Sequence, residues 1–398
     1  MSSDRDAISR RSHARIRVLQ EILNAYDGTV PFHRYLAAFF RRNHAFGSKD
    51  RKIYRKWSYA WFRLGRSLSE LSFQERIFWA FFLVNGLDDE LSNDLAQSID
   101  GLDFTELNLS DRIDFVQKKF GEDALNAVFP FHTRLSGKLD SDNIRNALLR
   151  QPDVFIRMAV GKTDAVKKEF SSLGLPVTAT DLEFCFSVPQ QVDLLKTESY
   201  VNGFFEIQDY ASQKVCEYFS VEPYSIWWDA CCGSGGKTML LADRYSQSSF
   251  VCSDIRSSII ENLKERVGRS GLSNISYTVL DASLAHPVDF KFQGVLVDAP
   301  CSGSGTWRRN PENLSFFNEN RIPDFTERQL TILNQVKNAV ASKGWLVYMT
   351  CSLFYDENEK LVDLFLKQND YELFSMNLID AQENNSDTLF VAVMRSKI

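Results

Sequence analysis

The sequence predicts an α/β protein: a doubly wound, mostly parallel sheet preceded by a small α/β subdomain and an N-terminal helical bundle. Three observations predict it. Residues 1–130 carry apolar side chains only at helical spacing, and residues 131–202 mix short strand and helix signals. After Gly203 apolar strand segments alternate with amphipathic helices, which is the pattern of a parallel sheet covered on both faces. The expected domains are therefore 1–130, 131–202 and 203–398.

Each element has its own reason. Ile16, Leu19, Ile22 and Leu23 share one face of a helix over Arg15–Tyr26. Pro31 suits the first turn of a second helix, because it lacks an N–H that would go unpaired there. Ser48 is read as the N-cap of a third, running through Arg51–Leu64. Ser72 and Glu75 fit a capping box that opens the apolar stretch Ile77–Val84, and Asp111–Phe120 is a further helix. In the middle segment Asp142–Arg150 and Asp164–Ser172 read as helices and Val154–Val160 as a strand, punctuated by Pro152 and Pro176. Beyond Gly203 the expected strands are Ser225–Asp229, Phe250–Ser253, Ile275–Val279, Gly294–Asp298, Trp345–Thr350 and two more at the C-terminus. The helices between them are Lys237–Tyr245, Ser257–Gly268, Phe325–Ala341 and Glu357–Lys367.

Composition narrows the function. The 398 residues are 44 % hydrophobic and include 31 Phe, 13 Tyr and 7 Trp, enough for a sizeable ordered core. No apolar run approaches the ~20 residues of a membrane helix. Met1–Asp6 lacks an apolar signal segment, so a cytoplasmic protein without a membrane partner is expected. Seven cysteines, none in a C-x-x-C pair, argue against a disulfide framework or a zinc site, and the five scattered histidines form no metal pattern. Net charge is −6, yet residues 1–66 hold 15 Lys/Arg against 5 Asp/Glu. That balance of +10 points to contact with nucleic acid by the N-terminal part.

Ligands of such sheets bind beyond the C-terminal ends of the strands, so chemistry is sought there. The first post-strand loop, Asp229-Ala230-Cys231-Cys232-Gly233-Ser234-Gly235-Gly236-Lys237-Thr238, is no P-loop, because Cys231 stands where the first glycine is required. Its glycines still let a nucleotide-like ligand lie against the backbone at a helix N-terminus. Asp254, closing the second strand, suits a ribose diol; Asp281, after the third, suits an adenine edge. The fourth strand ends in Asp298-Ala299-Pro300-Cys301-Ser302-Gly303-Ser304-Gly305, without the Pro-Pro-aromatic loop of amine methylation. The fifth ends in Thr350-Cys351-Ser352. Two cysteines thus reach one rim.

Asp229–Thr238, Asp298–Gly305 and Thr350-Cys351-Ser352 together resemble the RsmB/Sun/NSUN-type RNA (cytosine-5) methyltransferases. Gly203–Asp209, Arg308–Pro311, Glu357–Glu359 and Leu389–Val393 extend the likeness, and the bundle around Lys49-Asp50-Arg51 is similar to the NusB-like domain of bacterial small-subunit rRNA members. Two features depart from the family. Its usual Cys-Ala-Ala-Pro-Gly-Gly-Lys loop reads Cys231-Cys232-Gly233-Ser234-Gly235-Gly236-Lys237 here, a looser turn. Its Arg-x-Asn element appears as Arg157-Met158-Ala159, which removes one expected RNA contact.

The resemblance implies a Rossmann-like domain that binds S-adenosylmethionine through Cys231, Cys232, Gly233, Ser234, Gly235, Gly236, Lys237, Asp254, Asp281 and Asp298. It also implies Cys351 as nucleophile and Cys301 as the residue that assists product release, an assignment spacing alone leaves open. Asp298 and Lys237 would serve the target base, which must leave its stack to enter. A thiolate adding to C6 of cytosine makes C5 nucleophilic, which is why two cysteines suit this chemistry. RNA is the implied partner, small-subunit rRNA ahead of tRNA, and a monomer is expected. The competing class is an RNA-binding assembly factor with a decayed cofactor site. The departure at Gly233-Ser234 is its support; the retained Cys301, Cys351, Asp298, Asp254 and Lys237 oppose it.

Overall fold

The computed structural model describes residues 2–99, 107–137, 139–190, 193–380 and 384–398. They form two compact units. The first comprises Met1–Thr133, Asp140–Gln151 and Trp307–Asn318; the second comprises Arg134–Leu139, Pro152–Thr306 and Glu319–Ile398.

The first unit is helical: α1 (Ser2–Ala25), α2 (Phe32–Arg42), α3 (Ser48–Arg63), α4 (Phe73–Asn85), α5 (Glu90–Ile99), α6 (Leu109–Phe120), α7 (Ser141–Leu148) and the short α13 (Glu312–Phe316). Its core is aromatic, with Trp57 stacked on Phe81 at 4.0 Å between ring centroids. The Ser72–Glu75 capping box is formed, each side chain accepting from the other residue's backbone N–H. Two start signals shift by a residue. Pro31 is itself the cap, with ψ 135° outside the helix, and Gly47 caps α3, leaving Ser48 as its first helical residue without a side-chain cap. α5, which the sequence reading passed over, is capped reciprocally: Ser92 donates its N–H to Asp89 Oδ1 at 2.8 Å, and the Ser92 hydroxyl accepts from Asp89 N–H at 3.2 Å.

Helix α4 is buried nearly all round, from Arg76 to Leu83. Within this unit Arg63 is buried and donates to the carbonyls of Leu148 and Arg308 at 2.8 and 2.6 Å. Its charge is therefore spent inside the fold, while Arg17, Arg34, Arg41, Arg42, Lys49, Arg51, Lys52 and Arg55 are exposed.

The second unit holds two sheets. In the smaller, β1 (Val154–Met158), β2 (Thr178–Ala179), β3 (Cys185–Val188) and β4 (Phe205–Ile207) run in the order β2-β3-β1-β4, all antiparallel, with α8 (Thr163–Ser172) packed alongside. Strands this short carry too few residues to show alternation. The larger sheet has β5 (Ile226–Asp229), β6 (Ser249–Asp254), β7 (Ile275–Val279), β8 (Phe292–Asp298), β9 (Val340–Thr350), β10 (Tyr371–Ile379) and β11 (Leu389–Ser396), ordered β10-β11-β9-β8-β5-β6-β7. β5–β9 are parallel, whereas β11 is antiparallel to both neighbours.

Successive side chains of a strand face opposite ways, so a sheet covered on both sides needs two cores. Trp227, Leu296, Val347 and Val391 enter one; Trp228, Val297, Tyr348 and Ala392 enter the other. Gly294 makes room for this packing, since a Cβ there would lie 2.3 Å from the Trp227 ring. The covering helices are α10 (Tyr210–Lys214), α11 (Gly236–Arg244), α12 (Ser257–Ser270), α14 (Ile322–Val336) and α15 (Glu359–Gln368), while the short α9 (Glu198–Val201) lies against α8 and β4 of the smaller sheet. α14 begins earlier than Phe325 because Pro323 fits its first turn, and it ends in a 3₁₀ turn at Lys337–Ala339 before β9 starts at Val340. No helix among the described residues is long and apolar enough to cross a membrane.

Candidate active site

The parallel strands β5, β6, β8 and β9 end on one rim, and each delivers a carboxylate or a thiol there. β5 ends on Asp229, β6 on Asp254 and β8 on Asp298; Cys351 directly follows β9. The loop from β5 to α11 turns through Gly233 (φ +52°) and Gly235 (φ +77°), the latter capping α11 in a left-handed conformation that glycine adopts without penalty. The turn is braced from outside. Gly233 donates its N–H to Asp254 Oδ2 at 3.2 Å, and Arg266 donates to the Ser234 carbonyl while also gripping buried Glu206 at 2.8 Å. Proline's absence from this loop is thus offset by contacts that a sequence reading could not see.

A cavity of about 310 Å³ opens beside the turn, lined among others by Cys231, Asp254, Ile255, Asp281, Asp298 and Arg328. Asp254 is held below the usual carboxylate range: burial works against its ionisation, but a two-point ion pair with Arg256 prevails, at 2.9 Å for each contact. Asp281 is lowered by the Ser283 hydroxyl and N–H. Asp229 lies deeper. Burial raises it to about 7; one oxygen accepts from the Thr238 hydroxyl and the other, Oδ1, has no partner.

Lys237 donates from Nζ to Asp298 Oδ2 at 2.6 Å. Burial pulls its pKa down, yet the Asp298 charge outweighs this and the net shift is upward, so it stands as an ammonium. Cys301 and Cys351 meet with their sulfurs 3.4 Å apart. The hydrogen bond with Cys351, followed by burial, pushes the Cys301 thiol well up. Around them, Ser302, Ser304 and Ser352 hydroxyls cluster within 3.4 Å, and the Glu357 carboxylate, wholly buried, accepts from Ser302 N–H, Gln329 Nε2 and Ser352 Oγ.

The structure therefore brings together Cys301 with Cys351 and Lys237 with Asp298, and it puts Cys231, Asp254, Asp281 and Asp298 on the cavity wall. Gly233, Ser234, Gly235 and Gly236 form the turn beside it. The Cys232 thiol lies in the core, where its hydrogen bond with Cys252, then burial, raises it; toward a ligand it can offer only backbone. Ile255, Arg256, Arg328 and Gln329 escaped the sequence reading, and Glu357 entered it only as part of the Glu357–Glu359 likeness, without a site role. Ile255, half exposed although apolar, carried the one available signal, since it directly follows a strand-end carboxylate. Arg157 of the departed Arg-x-Asn element is buried and donates to Gln208 and Asp243 at 3.0 and 3.2 Å, a bracing role within the unit.

A seven-stranded sheet of this order, with one antiparallel strand inserted next to its edge and carboxylates at its strand ends, defines a Rossmann-like S-adenosylmethionine-dependent methyltransferase fold, flanked here by helical and small subdomains. The cavity suits that cofactor: Asp254, Asp281 and Asp298 line a space for a cationic sulfonium, and Asp254 offers two acceptors to a diol. Residues 218–395 match the family model for 16S rRNA methyltransferase RsmB/F. Among curated relatives, the probable ribosomal RNA small subunit methyltransferase B of Bacillus subtilis is 32 % identical over 180 residues, 44 % of this chain and 40 % of that protein. The ribosomal RNA small subunit methyltransferase F of Shewanella piezotolerans is 29 % identical over 199 residues, 48 % and 42 % of the two chains. The matches span less than half of those relatives' length. Among solved structures, PH0851 superposes with a TM-score of 0.68 at 18 % identity, covering 96 % of this chain and 98 % of its own. NSun6 from Pyrococcus horikoshii gives 0.60 at 13 %, covering 72 % and 97 %. The C-terminal half is thus homologous, at low to moderate identity, to RsmB/F-type rRNA methyltransferases.

Proposed function

We propose that this chain is an S-adenosylmethionine-dependent RNA (cytosine-5) methyltransferase that acts on small-subunit rRNA through a covalent bond between Cys351 and C6 of the target cytosine. The observation that carries the proposal is the 3.4 Å approach of Cys301 and Cys351 beside the Lys237–Asp298 pair. The relatives named for small-subunit rRNA support the substrate class.

When bound, the cofactor supplies an electrophilic methyl group. The protein's residues do the rest. Asp254 and Asp281 would hold the ribose and adenine ends of the cofactor. Asp298, oriented by Lys237, would accept a hydrogen bond from N3–H of the flipped, N3-protonated base, so that the ring stays neutral as the Cys351 thiolate adds to C6. Once C5 carries the methyl group, solvent water takes the C5 proton, the electron pair of that C–H bond restores the C5=C6 double bond, the C6–S bond breaks and the Cys351 sulfur leaves as a thiolate that accepts a hydrogen bond from the adjacent Cys301 thiol. The helical unit, NusB-like in this reading, uses its exposed arginines and lysines to attract RNA backbone.

The test is methyl transfer from radiolabelled S-adenosylmethionine to unmodified rRNA, tRNA and small-subunit particles, followed by digestion to nucleosides. Label in 5-methylcytosine from rRNA or its particle is expected. Label only in tRNA would move the substrate, and cofactor binding without 5-methylcytosine in any of the three would overturn the activity.

A further inference from the structure

We propose that Glu357 and Gln329 are positioning residues that set the spacing of the Cys301–Cys351 pair. The inference rests on those cysteines being the reacting pair. Glu357 lies in the 3₁₀ turn Tyr355–Glu357, and Gln329 is on α14; both are wholly buried. One carboxylate oxygen of Glu357 accepts the N–H of Ser302, the residue after Cys301, at 2.9 Å. The other accepts the hydroxyl of Ser352, the residue after Cys351, at 2.6 Å. A single rigid group thus ties together the backbone next to each thiol.

Gln329 completes the clamp from the other side of Cys301. Its Nε2 donates to the Pro300 carbonyl at 3.1 Å and to Glu357 Oε2 at 2.9 Å, so the residues before and after Cys301 are both fixed. The turn holding Glu357 is itself anchored, because Tyr348 of β9 donates its hydroxyl to the Glu357 carbonyl at 2.7 Å. Neither residue lines the cofactor cavity; the one contact with its wall is the Pro300 carbonyl that Gln329 holds, and the Pro300 ring stays in place when that bond is lost. Their effect therefore falls on the thiols and spares cofactor affinity, which separates positioning from general loss of structure. A loop free to shift by about 1 Å loses reaction rate steeply, since reacting groups need near-contact alignment.

Disulfide closure measures the spacing without any RNA. Diamide takes up both thiol hydrogens at its N=N bond as the Cys301–Cys351 S–S bond forms, and peptide mapping by mass spectrometry separates this product from closures at other cysteines. Wild-type protein is expected to close this pair readily. Glu357→Ala and Gln329→Leu should close it about tenfold more slowly or worse, with cofactor affinity unchanged. Glu357→Gln should stay near wild type, because its amide oxygen keeps Ser302 and Gln329 while the Ser352 hydroxyl turns to accept. Closure of Glu357→Ala at the wild-type rate would overturn the proposal. Should that variant fail to fold, Gln329→Leu carries the same test, with wild-type closure again overturning it. The ordered pattern of closure rates in a protein that methylates no RNA would leave the clamp standing and remove the activity; wild-type closure in both variants of an active methyltransferase would do the reverse.

Discussion

Two thiols in van der Waals contact cannot both give up their protons freely, and the hydrogen bond with Cys351, then burial, raises the Cys301 thiol. A protonated Cys301 suits a residue that assists departure and does not attack. Cys351→Ala should accordingly reduce methyl transfer to background with cofactor affinity retained; measurable turnover would end its role as nucleophile. Cys301→Ala should accumulate a protein–RNA adduct that survives denaturing gels in the presence of cofactor, and its absence would remove the release role. Asp229 makes a third residue-scale test. Burial raises its folded pKa to about 7 from an ordinary value of 3.8, so the folded state holds the proton more tightly than the unfolded chain. The stability linked to that proton is fully present below about pH 4 and is lost as pH rises through 7. Asp229→Asn cannot ionise and keeps an oxygen for the Thr238 hydroxyl. Its melting temperature should therefore gain on wild type progressively between pH 4 and pH 7. A difference that stays flat across this range would show that Asp229 is not held protonated by burial.

At the level of elements, the strand-end loops fix both chemistry and tolerance to change. Gly305 donates its N–H to the Cys351 carbonyl at 2.8 Å, and its own carbonyl accepts from Thr388 N–H at 3.1 Å. A Cβ on Gly305 would sit 2.0 Å from the Thr388 carbonyl oxygen, a backbone atom that cannot swing away. Gly233 differs: a Cβ there meets nothing within 4 Å, so an alanine bears only the cost of its positive φ, roughly 1–2 kcal/mol. Gly305→Ala should lower the melting temperature and slow transfer much more than Gly233→Ala, and equal effects would show that this loop is not held where its contacts place it. The same elements show what a sequence can disclose. β5, β6, β8 and β9 were legible because strands buried on both faces are largely apolar runs, and their last residues are fixed by where polarity returns. The rim carboxylates and both cysteines followed from those ends. Short antiparallel strands such as Thr178–Ala179 leave no such trace. The Glu357 clamp was hidden for another reason: Ser352 is only 5 residues from Glu357, but Gln329 and Ser302 lie 28 and 55 residues away, and only tertiary folding makes them neighbours.

Over the whole molecule the charges are divided: a net −6 conceals +10 in residues 1–66, with −16 left to the remainder. The cavity wall carries Asp254, Asp281 and Asp298, but Arg256, Arg328 and the neighbouring Lys237 balance them, so it holds no surplus of cations to draw an RNA backbone. In the proposed function that attraction comes from elsewhere, and the exposed cations of α2 and α3 are the concentrated source. Attraction of this kind works through release of counterions, so log Kd against log salt rises with a slope of about 0.7 for each single-stranded phosphate neutralised. Arg41 and Arg42 end α2, exposed to solvent, so glutamines there remove two charges without opening the core. The double variant Arg41→Gln/Arg42→Gln should bind rRNA more weakly and lower that slope by about 1.4, with cofactor affinity unchanged. A weaker Kd with the wild-type slope would mean that the arginines act through shape and not by pairing with phosphate. An unchanged Kd would assign RNA attraction to other cations of the chain, and the basic segment would then owe its charge to solubility alone.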